Sequence, residues 1–461
     1  MRKEEKEIKV LFAIAEAEPF AKTGGLGDVG GSLPQVINRL QGEARVMMPK
    51  YASIPSSLKE SLVYLTCFTV PLGWRRQYCG LWETEYQGVH YYFIDNEYYF
   101  EREKVYGYGD DGERFAYFSR VVLECLIHLK EFRPDLIHCH DWHTALIPVM
   151  LKEYYGGNPF YVGIKTLLTI HNLKFQGVFP KEVLGDWLGL EENSPGAESL
   201  VYRSGVNFLK GGLLSVDGIT TVSPSYGAEI LTPEFGEGLE DFLQKRKERI
   251  TGILNGIDRE KYHPGKDPVL FAHYPSPTWK KENKEKLQAL LNLPVKKDVL
   301  FIAIVSRLTD QKGLDLLTPI MEEILKMEIQ LVVLGTGEKK YEEMFLSFAQ
   351  KYPEKLAVKI MFHEELARKI YAGADLFLMP SRFEPCGLAQ MMAMRYGTIP
   401  LVRETGGLKD TVIPFNQEAG SGNGFAFTSY SSAALLSTLK EAVQIFREDR
   451  PAWQGLMDRA M

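Results

Sequence analysis

The sequence predicts an α/β protein with two doubly wound, Rossmann-like domains. Apolar runs of strand length recur along the chain, and stretches with helical spacing separate most of them. Such runs are typical of strands that are buried on both faces of a parallel sheet, and the intervening helices indicate right-handed βαβ crossovers. With 461 residues, the chain is long enough for two large domains.

The first half begins with a β-loop-α unit. A strand over Ile8–Ala15 precedes a glycine-rich loop over Lys22–Gly31. The next helix carries apolar residues at helical spacing: Leu33, Val36, Ile37 and Leu40. Between Tyr64 and Asp95, β-branched and aromatic residues with turns at Leu72-Gly73 and Gln87-Gly88 predict inserted antiparallel strands. The other strands predicted in this half are Arg45–Met48, Asp135–Cys139, Lys165–Ile170 and Gly218–Val222.

The second half alternates more regularly, and the two domains are predicted to join between Arg249 and Tyr262. The predicted strands are Val299–Ser306, Ile329–Leu334, Val358–Met361, Leu376–Met379 and Ile399–Val402. The predicted helices are Leu314–Met327, Lys340–Lys351, Leu366–Ala372 and Leu388–Tyr396. Ligands of such sheets bind outside the carboxyl ends of the strands, so the loops after strands are where site residues are expected.

Composition argues against several classes of partner. The 54 Lys and Arg against 60 Asp and Glu give a net charge of −6, which favours neither nucleic acid nor an anionic membrane. The apolar run Val10–Ala15 is too short to cross a bilayer and is unlike a signal peptide, so a cytoplasmic protein is expected. Five cysteines without a CxxC pair predict reduced thiols and no structural disulfide.

The glycine loop resembles a nicotinamide-binding loop only formally. Gly25–Gly30 matches GxGxxG, but the strand ends near Ala15, too early for the tight turn of that motif. The second strand ends in Met47–Tyr51, where a nicotinamide site expects an acid. Lys22, the glycine amides and the helix start suit an anion instead; a flexible glycine turn is the alternative.

Two loops of the second half also offer groups for a diphosphate. Arg307 and Lys312 follow a predicted strand and precede a helix, at the carboxyl edge of the sheet. Thr405-Gly-Gly-Leu408 follows the strand Ile399–Val402 and opens a helix, so its amides can bind phosphate. The alternatives are solvated surface cations for the first loop and a plain left-handed turn for the second.

Acids and histidines follow other strands. Glu384 comes after the strand Leu376–Met379, where a surface acid is the alternative interpretation. His171 ends the strand Lys165–Ile170 and can reach a sugar hydroxyl, or serve as a capping or buried histidine. The cluster His138, His140, Asp141 and His143 superficially resembles a metal site, but strand alternation gives poor zinc geometry.

Taken together, the motifs resemble the bacterial glycogen synthase and plant starch synthase family over almost the whole chain. In chain order they are Lys22–Leu26 (KTGGL), His140–His143, Thr169–Leu173, Leu254–Asp258, Ser306–Gly313, Glu384–Leu388 (EPCGL) and Thr405–Leu408. The resemblance implies a GT-B fold, in which two Rossmann-like doubly wound domains face a deep interdomain cleft. It places the acceptor glucan on residues 1–253 and the nucleotide sugar on 254–445, with a C-terminal helical segment, 446–461, that is shorter than the family pattern.

The same resemblance implies an ADP-glucose-dependent glucosyltransferase that extends glycogen or another α-1,4-glucan at its non-reducing end with retention, without metal or cofactor. The residues implied in catalysis are Glu384, His171, Arg307 and Lys312. The residues implied in binding the nucleotide sugar are Lys22, Gly24, Gly25, Asp28, Asp141, Asn255, Gly335, Thr405, Gly406 and Gly407. Arg307 and Lys312 would stabilise charge on the leaving diphosphate, His171 would contact the glucose, and Glu384 would orient it or stabilise positive charge at the anomeric carbon.

Retention leaves two mechanisms open at this stage. Double displacement needs a carboxylate nucleophile, whereas in front-face attack the leaving phosphate takes the acceptor's proton. Related GT-B families carry a second acid eight residues after the first, but Met392 stands there and weakens a paired-carboxylate mechanism. The competing functions are another GT-B transferase, such as a sucrose synthase-like or trehalose-forming enzyme, and a catalytically impaired glucan-binding protein of the same fold.

Overall fold

The computed structural model describes residues 7–129 and 131–461, and the chain divides into two compact units. The first unit holds the residues up to Val222 together with Gly227–Ile253. The second unit holds Ser223–Tyr226 and Leu254–Met461. The chain therefore enters the second unit briefly before its main crossing after Ile253.

Within the described residues, the first unit is built on a nine-stranded sheet and a small three-stranded sheet. Its strands are β1 (Lys9–Ala13), β2 (Glu43–Pro49), β3 (Val63–Leu72), β4 (Arg75–Tyr86), β5 (Val89–Asp95), β6 (Leu136–His140), β7 (Lys165–Ile170), β8 (Val178–Pro180), β9 (Val201–Tyr202), β10 (Gly205–Asn207), β11 (Gly218–Thr221) and β12 (Ile250–Gly252). The large sheet has the order β12-β11-β7-β6-β1-β2-β5-β4-β3, and the small one has the order β8-β10-β9. Neighbours from β12 to β5 are parallel, whereas β5, β4 and β3 are antiparallel.

Helices connect these strands. They are α1 (Gly25–Arg39), α2 (Ser56–Lys59), α3 (Glu97–Phe100), α4 (Asp111–Cys125), α5 (Asp141–Thr144), α6 (Leu146–Tyr155), α7 (Pro195–Leu200), α8 (Phe208–Ser215), α9 (Pro224–Glu229), whose first residues belong to the second unit, and α10 (Glu240–Gln244). The predicted order of strand, loop and helix is confirmed by β1 and α1, but the bounds of the loop were wrong, because the helix begins at Gly25 and includes Gly25–Gly31 of the predicted loop. The inserted antiparallel strands are confirmed as well, with Gly73 at φ +56° and Gly88 at φ +74° in the two turns, a backbone region that glycine enters without steric penalty.

The second unit carries a six-stranded parallel sheet within the described residues. Its strands are β13 (Leu300–Val305), β14 (Ile329–Leu334), β15 (Leu356–Lys359), β16 (Leu376–Met379), β17 (Ile399–Arg403) and β18 (Phe425–Phe427), in the order β15-β14-β13-β16-β17-β18. Its helices are α11 (Lys281–Leu290), α12 (Met321–Lys326), α13 (Lys339–Lys351), α14 (Glu364–Gly373), α15 (Ala389–Arg395), α16 (Gly406–Thr411), α17 (Ser432–Glu448) and α18 (Arg450–Ala460).

Hydrophobic cores cover both faces of this sheet. In β13, Leu300, Ile302 and Ile304 belong to one core, and Phe301 and Ala303 belong to the other. This alternation follows from the pleat, which sends successive side chains to opposite faces. A strand with two buried faces must be apolar throughout, which is why the sequence showed unbroken apolar runs.

Two predicted elements of the second half were wrong in their bounds. The predicted helix Leu314–Met327 is a short 3-10 turn at Leu314–Leu316 followed by α12. Pro319 lies between the two pieces, and its missing N–H and its ring interrupt an α-helix there. The strand predicted at Val358–Met361 begins two residues earlier, because Leu356 pairs with Leu331 and is buried.

None of the helices in the described part of the chain is long and apolar enough to cross a membrane. The five cysteines all carry free thiols, and four of them are buried.

Candidate active site

Four of the predicted site residues follow strands at which, or next to which, the strand order reverses. In the first unit, β1 lies between β2 and β6. In the second unit, β13 lies between β14 and β16. Loops at the carboxyl ends of such strands diverge and leave room for a ligand. Lys22 follows β1, Asp141 follows β6, Lys312 follows β13 and Glu384 follows β16.

Lys22 is paired with acids of its own loop and helix. Its Nζ lies 2.6 Å from Asp28 Oδ1 and 3.1 Å from Glu18 Oε2. Asp28 is in the first turn of α1, where the helix dipole favours a negative charge. The predicted lysine and the predicted aspartate are thus brought together, and an anion that binds Lys22 must compete with these carboxylates.

Glu16 shapes the same loop, and the sequence did not single it out. Its side chain is only 3% exposed. The carboxylate accepts hydrogen bonds from the Thr23 amide, from Thr23 Oγ1 at 2.8 Å and from the Gly24 amide at 3.3 Å. Burial raises the pKa of Glu16, although these hydrogen bonds oppose the shift. The Gly24 amide, predicted to meet the ligand, is therefore engaged by Glu16, whereas Gly25 begins α1.

Two histidine rings meet at the carboxyl ends of β6 and β7. His140 Nδ1 lies 3.0 Å from His171 Nε2. The His138 and His140 ring centroids are 4.1 Å apart, as strand alternation predicted, and His138 Nε2 hydrogen-bonds Thr169 Oγ1 at 2.6 Å. Burial lowers the pKa of His138 to about 3 and that of His171 to about 4. His171 is therefore neutral near pH 7 and can act as a hydrogen-bonding group rather than as a cation.

Asp141 holds the backbone that carries His171. Its Oδ1 accepts hydrogen bonds from the amides of His171 at 2.7 Å and Asn172 at 3.3 Å. Its own backbone has φ +53°, a left-handed conformation that aspartate tolerates better than most side chains. Burial raises the pKa of Asp141 to about 7. Asp141 thus fixes the position of His171 within the first unit.

Lys312 and Glu384 form an ion pair in the second unit. Lys312 Nζ lies 2.6 Å from Glu384 Oε2, and Ser381 Oγ donates to the same oxygen at 3.0 Å. Glu384 is 6% exposed. A charge-assisted bond at this distance is strong, because little solvent screens it. The sequence predicted both residues but not their contact, and it missed Ser381.

Gly313 lets the two loops approach each other. It has φ +68°, and a Cβ at this position would lie 1.9 Å from the carbonyl oxygen of Pro380. In addition, the Arg382 amide donates to the carbonyl of Gln311 at 2.9 Å. The loop after β13 is therefore joined by backbone contacts to the loop after β16, and this joining brings Lys312 to Glu384.

The glycines of the Thr405 loop pack against the Glu384 loop. A Cβ on Gly406 would lie 2.0 Å from the carbonyl oxygen of Glu384, and one on Gly407 would lie 2.1 Å from that of Cys386. The Gly407 amide donates to the carbonyl oxygens of Glu384 and Pro385. This amide, predicted to bind phosphate, is engaged by the protein, and Thr405 is buried beside it.

The remaining predicted residues of the second unit differ in exposure. Arg307 is exposed, and its guanidinium has no partner among the described residues. Gly335 follows β14, where a Cβ would lie 1.9 Å from the carbonyl oxygen of Ser306. Burial raises the pKa of the Cys386 thiol to about 12, and the backbone amide of Asn255 opposes this shift. Arg307 is therefore the predicted cation that is open to a ligand in this unit.

An open groove lies in the first unit, lined in part by Trp142, the residue after Asp141. Its volume is about 960 Å³. Aromatic and charged side chains line it, among them Trp142, Lys174, Phe175, Phe179, Tyr202 and Arg203. Part of the groove wall is formed by the small β8-β10-β9 sheet, which follows β7 in the chain. The sequence did not predict this sheet. Among residues 7–129 and 131–461, no group of three or more His, Cys, Asp or Glu is arranged to hold a metal ion.

Comparison with known proteins gives one consistent result. Residues 9–245 match the family described as "Starch synthase catalytic domain", and residues 285–450 match "Glycosyl transferases group 1". Glycogen synthase of Desulfitobacterium hafniense is 53% identical, over 98% of this chain and 95% of its own length. Glycogen synthase of Caldicellulosiruptor saccharolyticus is 51% identical, with the same coverage of 98% and 95%.

The fold agrees with a solved structure. The catalytic domain of Starch Synthase IV from Arabidopsis thaliana, bound to ADP and acarbose, superposes with a TM-score of 0.91 and 32% identity. The superposition covers 99% of this chain and 95% of that chain. Sucrose-phosphate synthase from Thermosynechococcus elongatus has a TM-score of 0.60 at 16% identity, a likeness of fold alone.

Proposed function

Because the chain belongs to the glycogen and starch synthase family, glycosyltransferases of GT-B fold, we propose that it transfers glucose from ADP-glucose to the non-reducing end of an α-1,4-glucan with retention of configuration. Glycogen synthase relatives at about half identity support the glycogen synthase function. The observation that carries the site assignment is the 2.6 Å contact between Lys312 and Glu384 at the strand-order reversal of the second sheet. A transferase that releases a nucleoside diphosphate needs cations at such a place.

Arg307 and Lys312 are the cations that we assign to the diphosphate. Arg307 is exposed and can form two parallel hydrogen bonds with phosphate oxygens, whereas Lys312 supplies a compact charge. Negative charge grows on the leaving diphosphate as the glycosidic bond breaks. Cations already held near it stabilise the transition state more than the ground state, which raises the turnover number. Asn255, Gly335, Thr405, Gly406 and Gly407 complete the proposed nucleotide-sugar side.

Glu384 acts electrostatically in this proposal. Its Oε2 already accepts hydrogen bonds from Lys312 Nζ and Ser381 Oγ. Both bonds withdraw electron density from the carboxylate and make it a weaker nucleophile toward the anomeric carbon. Position 392, eight residues further on, is methionine rather than a second acid. These features favour front-face attack, in which the leaving phosphate accepts the proton of the acceptor hydroxyl, over a covalent glucosyl-enzyme intermediate.

The first unit is proposed to contribute the loop of Lys22, Gly24, Gly25 and Asp28 to donor binding. Binding would exchange carboxylate partners of Lys22 for phosphate oxygens, and the freed acids can face sugar hydroxyls. His171 would hydrogen-bond the transferred glucose, on a backbone held by Asp141.

The acceptor glucan is assigned to the groove of about 960 Å³ in the first unit. Aromatic rings stack on the apolar faces of glucose rings, and charged side chains hydrogen-bond their hydroxyls. In this proposal, residues 1–253 serve the acceptor, residues 254–445 serve the nucleotide sugar, and 446–461 form the C-terminal helical segment.

The test is an incubation with glycogen and either ADP-glucose or UDP-glucose, without added divalent metal. We expect ADP release in step with lengthening of the glucan chains, and much slower release of UDP. Nucleotide release without lengthening would indicate hydrolysis and contradict the proposal. If neither donor gives nucleotide release or longer chains, and the protein still binds glycogen, the glucan-binding alternative is favoured.

A further inference from the structure

The ring of His140 is the nearest hydrogen-bonding neighbour of the ring of His171. Their facing atoms, His140 Nδ1 and His171 Nε2, are 3.0 Å apart. His140 is fully buried, its ring stacked on Phe12 at 5.6 Å between centroids, whereas His171 is partly exposed. Nδ1 of His171 has no hydrogen-bond partner among the described residues, so it is the ring atom of this pair that a ligand can reach.

The contact requires one proton between two rings that are both neutral. Burial lowers the pKa of His171 to about 4 and that of His140 well below its usual range. Each neutral imidazole carries one N–H, and its other nitrogen accepts. Either His140 Nδ1–H donates to His171 Nε2, or His171 Nε2–H donates to His140 Nδ1. The two arrangements place the remaining protons differently.

The surroundings of His140 Nε2 discriminate between the arrangements. This atom is buried and has no hydrogen-bond partner among the described residues. If His171 donates, His140 must carry its proton on Nε2 and bury an unpaired N–H, which is unfavourable. If His140 donates, its Nε2 is an unprotonated nitrogen and no N–H is left unpaired; a buried acceptor without a partner is a smaller penalty than a buried N–H without one. The neighbouring His138 does not change this balance, because no hydrogen bond joins it to His140 Nε2, and its own Nε2 is bonded to Thr169 Oγ1.

We propose that His140 is a positioning residue that donates from Nδ1 to His171 Nε2 and so holds His171 in the tautomer with its proton on Nδ1. His171 then presents a hydrogen-bond donor, and not an acceptor, to a hydroxyl oxygen of the transferred sugar. This inference rests on the proposed function for the identity of the ligand, but the tautomer itself does not. No proton is transferred by either ring in this role.

The tautomer can be read directly in the wild-type protein. In protein labelled with 15N-histidine, protonated and unprotonated ring nitrogens give well-separated 15N signals, and a His171→Gln variant assigns the His171 pair. We expect a protonated Nδ1 and an unprotonated Nε2 for His171 near pH 7. A protonated Nε2 on His171 overturns the proposal without any variant of His140.

Two substitutions at position 140 extend the test. The side-chain amide nitrogen of His140→Asn can stand near the site of Nδ1 and donate, whereas His140→Leu cannot donate. We expect His140→Leu to shift His171 toward the Nε2–H tautomer, which free imidazole side chains prefer, and to lower the turnover number about 10-fold with KM for glycogen unchanged within about twofold. His140→Asn should keep the tautomer and restore most of the rate.

Failure of this inference differs from failure of the proposed function. If His140→Leu keeps the wild-type tautomer of His171, the positioning role is wrong even where glucose transfer is intact. If wild-type protein transfers no glucose from either donor, the proposed function is wrong, while the 15N signals still decide which nitrogen of His171 carries the proton.

Discussion

Lys312 Nζ lies 2.6 Å from Glu384 Oε2, although 72 positions separate the two residues in the chain. The side chains are 16% and 8% exposed, so each charge depends on the other more than a surface pair would. The pair sits where β13 meets β16 in the strand order, on loops that Gly313 allows to touch. The catalytic roles proposed for Lys312 and Glu384 and the local stability therefore depend on the same contact.

Lys312→Ala should lower kcat/KM for glucose transfer about 100- to 1,000-fold, because the leaving diphosphate loses a cation that its transition state needs. Steady-state rates with ADP-glucose and glycogen measure the effect. The variant should also unfold more easily, because it leaves Glu384 buried without its partner. A rate within about threefold of the wild type would contradict the role of Lys312.

The double variant Lys312→Ala/Glu384→Gln separates these two effects. A neutral amide is easier to bury than an unpaired carboxylate, so the double variant should recover most of the lost unfolding free energy. Its rate should stay as low as that of the single variant. Recovery of the rate together with stability would show that the single variant had failed through misfolding.

Glu384→Gln should reduce the turnover number by about 100-fold or more while ADP affinity changes less than about threefold. The amide keeps the size of the side chain and can still accept from Lys312, but it removes the negative charge that we assign to the anomeric carbon. Isothermal titration with ADP and rate measurements give the two numbers. Loss of ADP binding would instead assign Glu384 to nucleotide recognition.

Gly313→Ala should destabilise the second unit by about 3 kcal/mol and lower activity. Its left-handed φ disfavours any side chain, and the added Cβ would meet the Pro380 carbonyl at 1.9 Å. Gly157→Ala is the matched control, because no heavy atom lies within 4 Å of its added Cβ. Denaturant unfolding of both variants should show a change within about 0.5 kcal/mol for the control. Equal losses of unfolding free energy in the two variants would contradict the role of Gly313 in letting the two loops approach each other.

Asp141 makes stability depend on pH in a definite direction. Burial raises its pKa to about 7 in the folded protein, against about 3.9 in the unfolded chain. The folded state therefore binds the proton more tightly, and the stability this contributes is lost as the pH rises through 7. Asp141→Asn has no such titration, so it should gain about 2 kcal/mol relative to wild type between about pH 5.5 and 8.5.

Unfolding of both proteins across this pH range provides the measurement for Asp141. Because the lowered pKa values of His138 and His171 act equally in both proteins, their contribution cancels in the difference. A difference in unfolding free energy that stays constant with pH would contradict the raised pKa of Asp141.

Most strands of the two parallel sheets and their alternation with helices along the chain were predictable, because parallel strands with two buried faces must be apolar throughout. The sequence shows Pro319 inside the predicted helix Leu314–Met327, which indicates a break in that helix. The apolar residues at helical spacing on both sides of the proline nevertheless led to the prediction of one continuous helix. The short β8-β10-β9 sheet was not predictable, because three-residue strands carry too little periodicity to be distinguished from loops.

The site residues were predictable mainly as members of loops after strands, and their contacts were not. The pairing of Lys312 with Glu384 depends on the adjacency of β13 and β16, which the chain order does not state. Glu16 was missed because an acid after an apolar strand normally reaches solvent, whereas here it turns back onto the amides of Thr23 and Gly24. Sequence patterns do not reveal which backbone amides the protein itself occupies.

The central claim is retaining transfer of glucose onto an α-1,4-glucan, and the product linkage tests it most directly. ADP-glucose labelled with 13C in the glucose would be incubated with maltoheptaose in EDTA. The anomeric signal of the newly attached residue would then be followed by NMR. The account predicts an α-1,4-linked residue at the non-reducing end, formed at the rate of ADP release. A β-anomeric linkage, or free glucose in place of a longer chain, would contradict it.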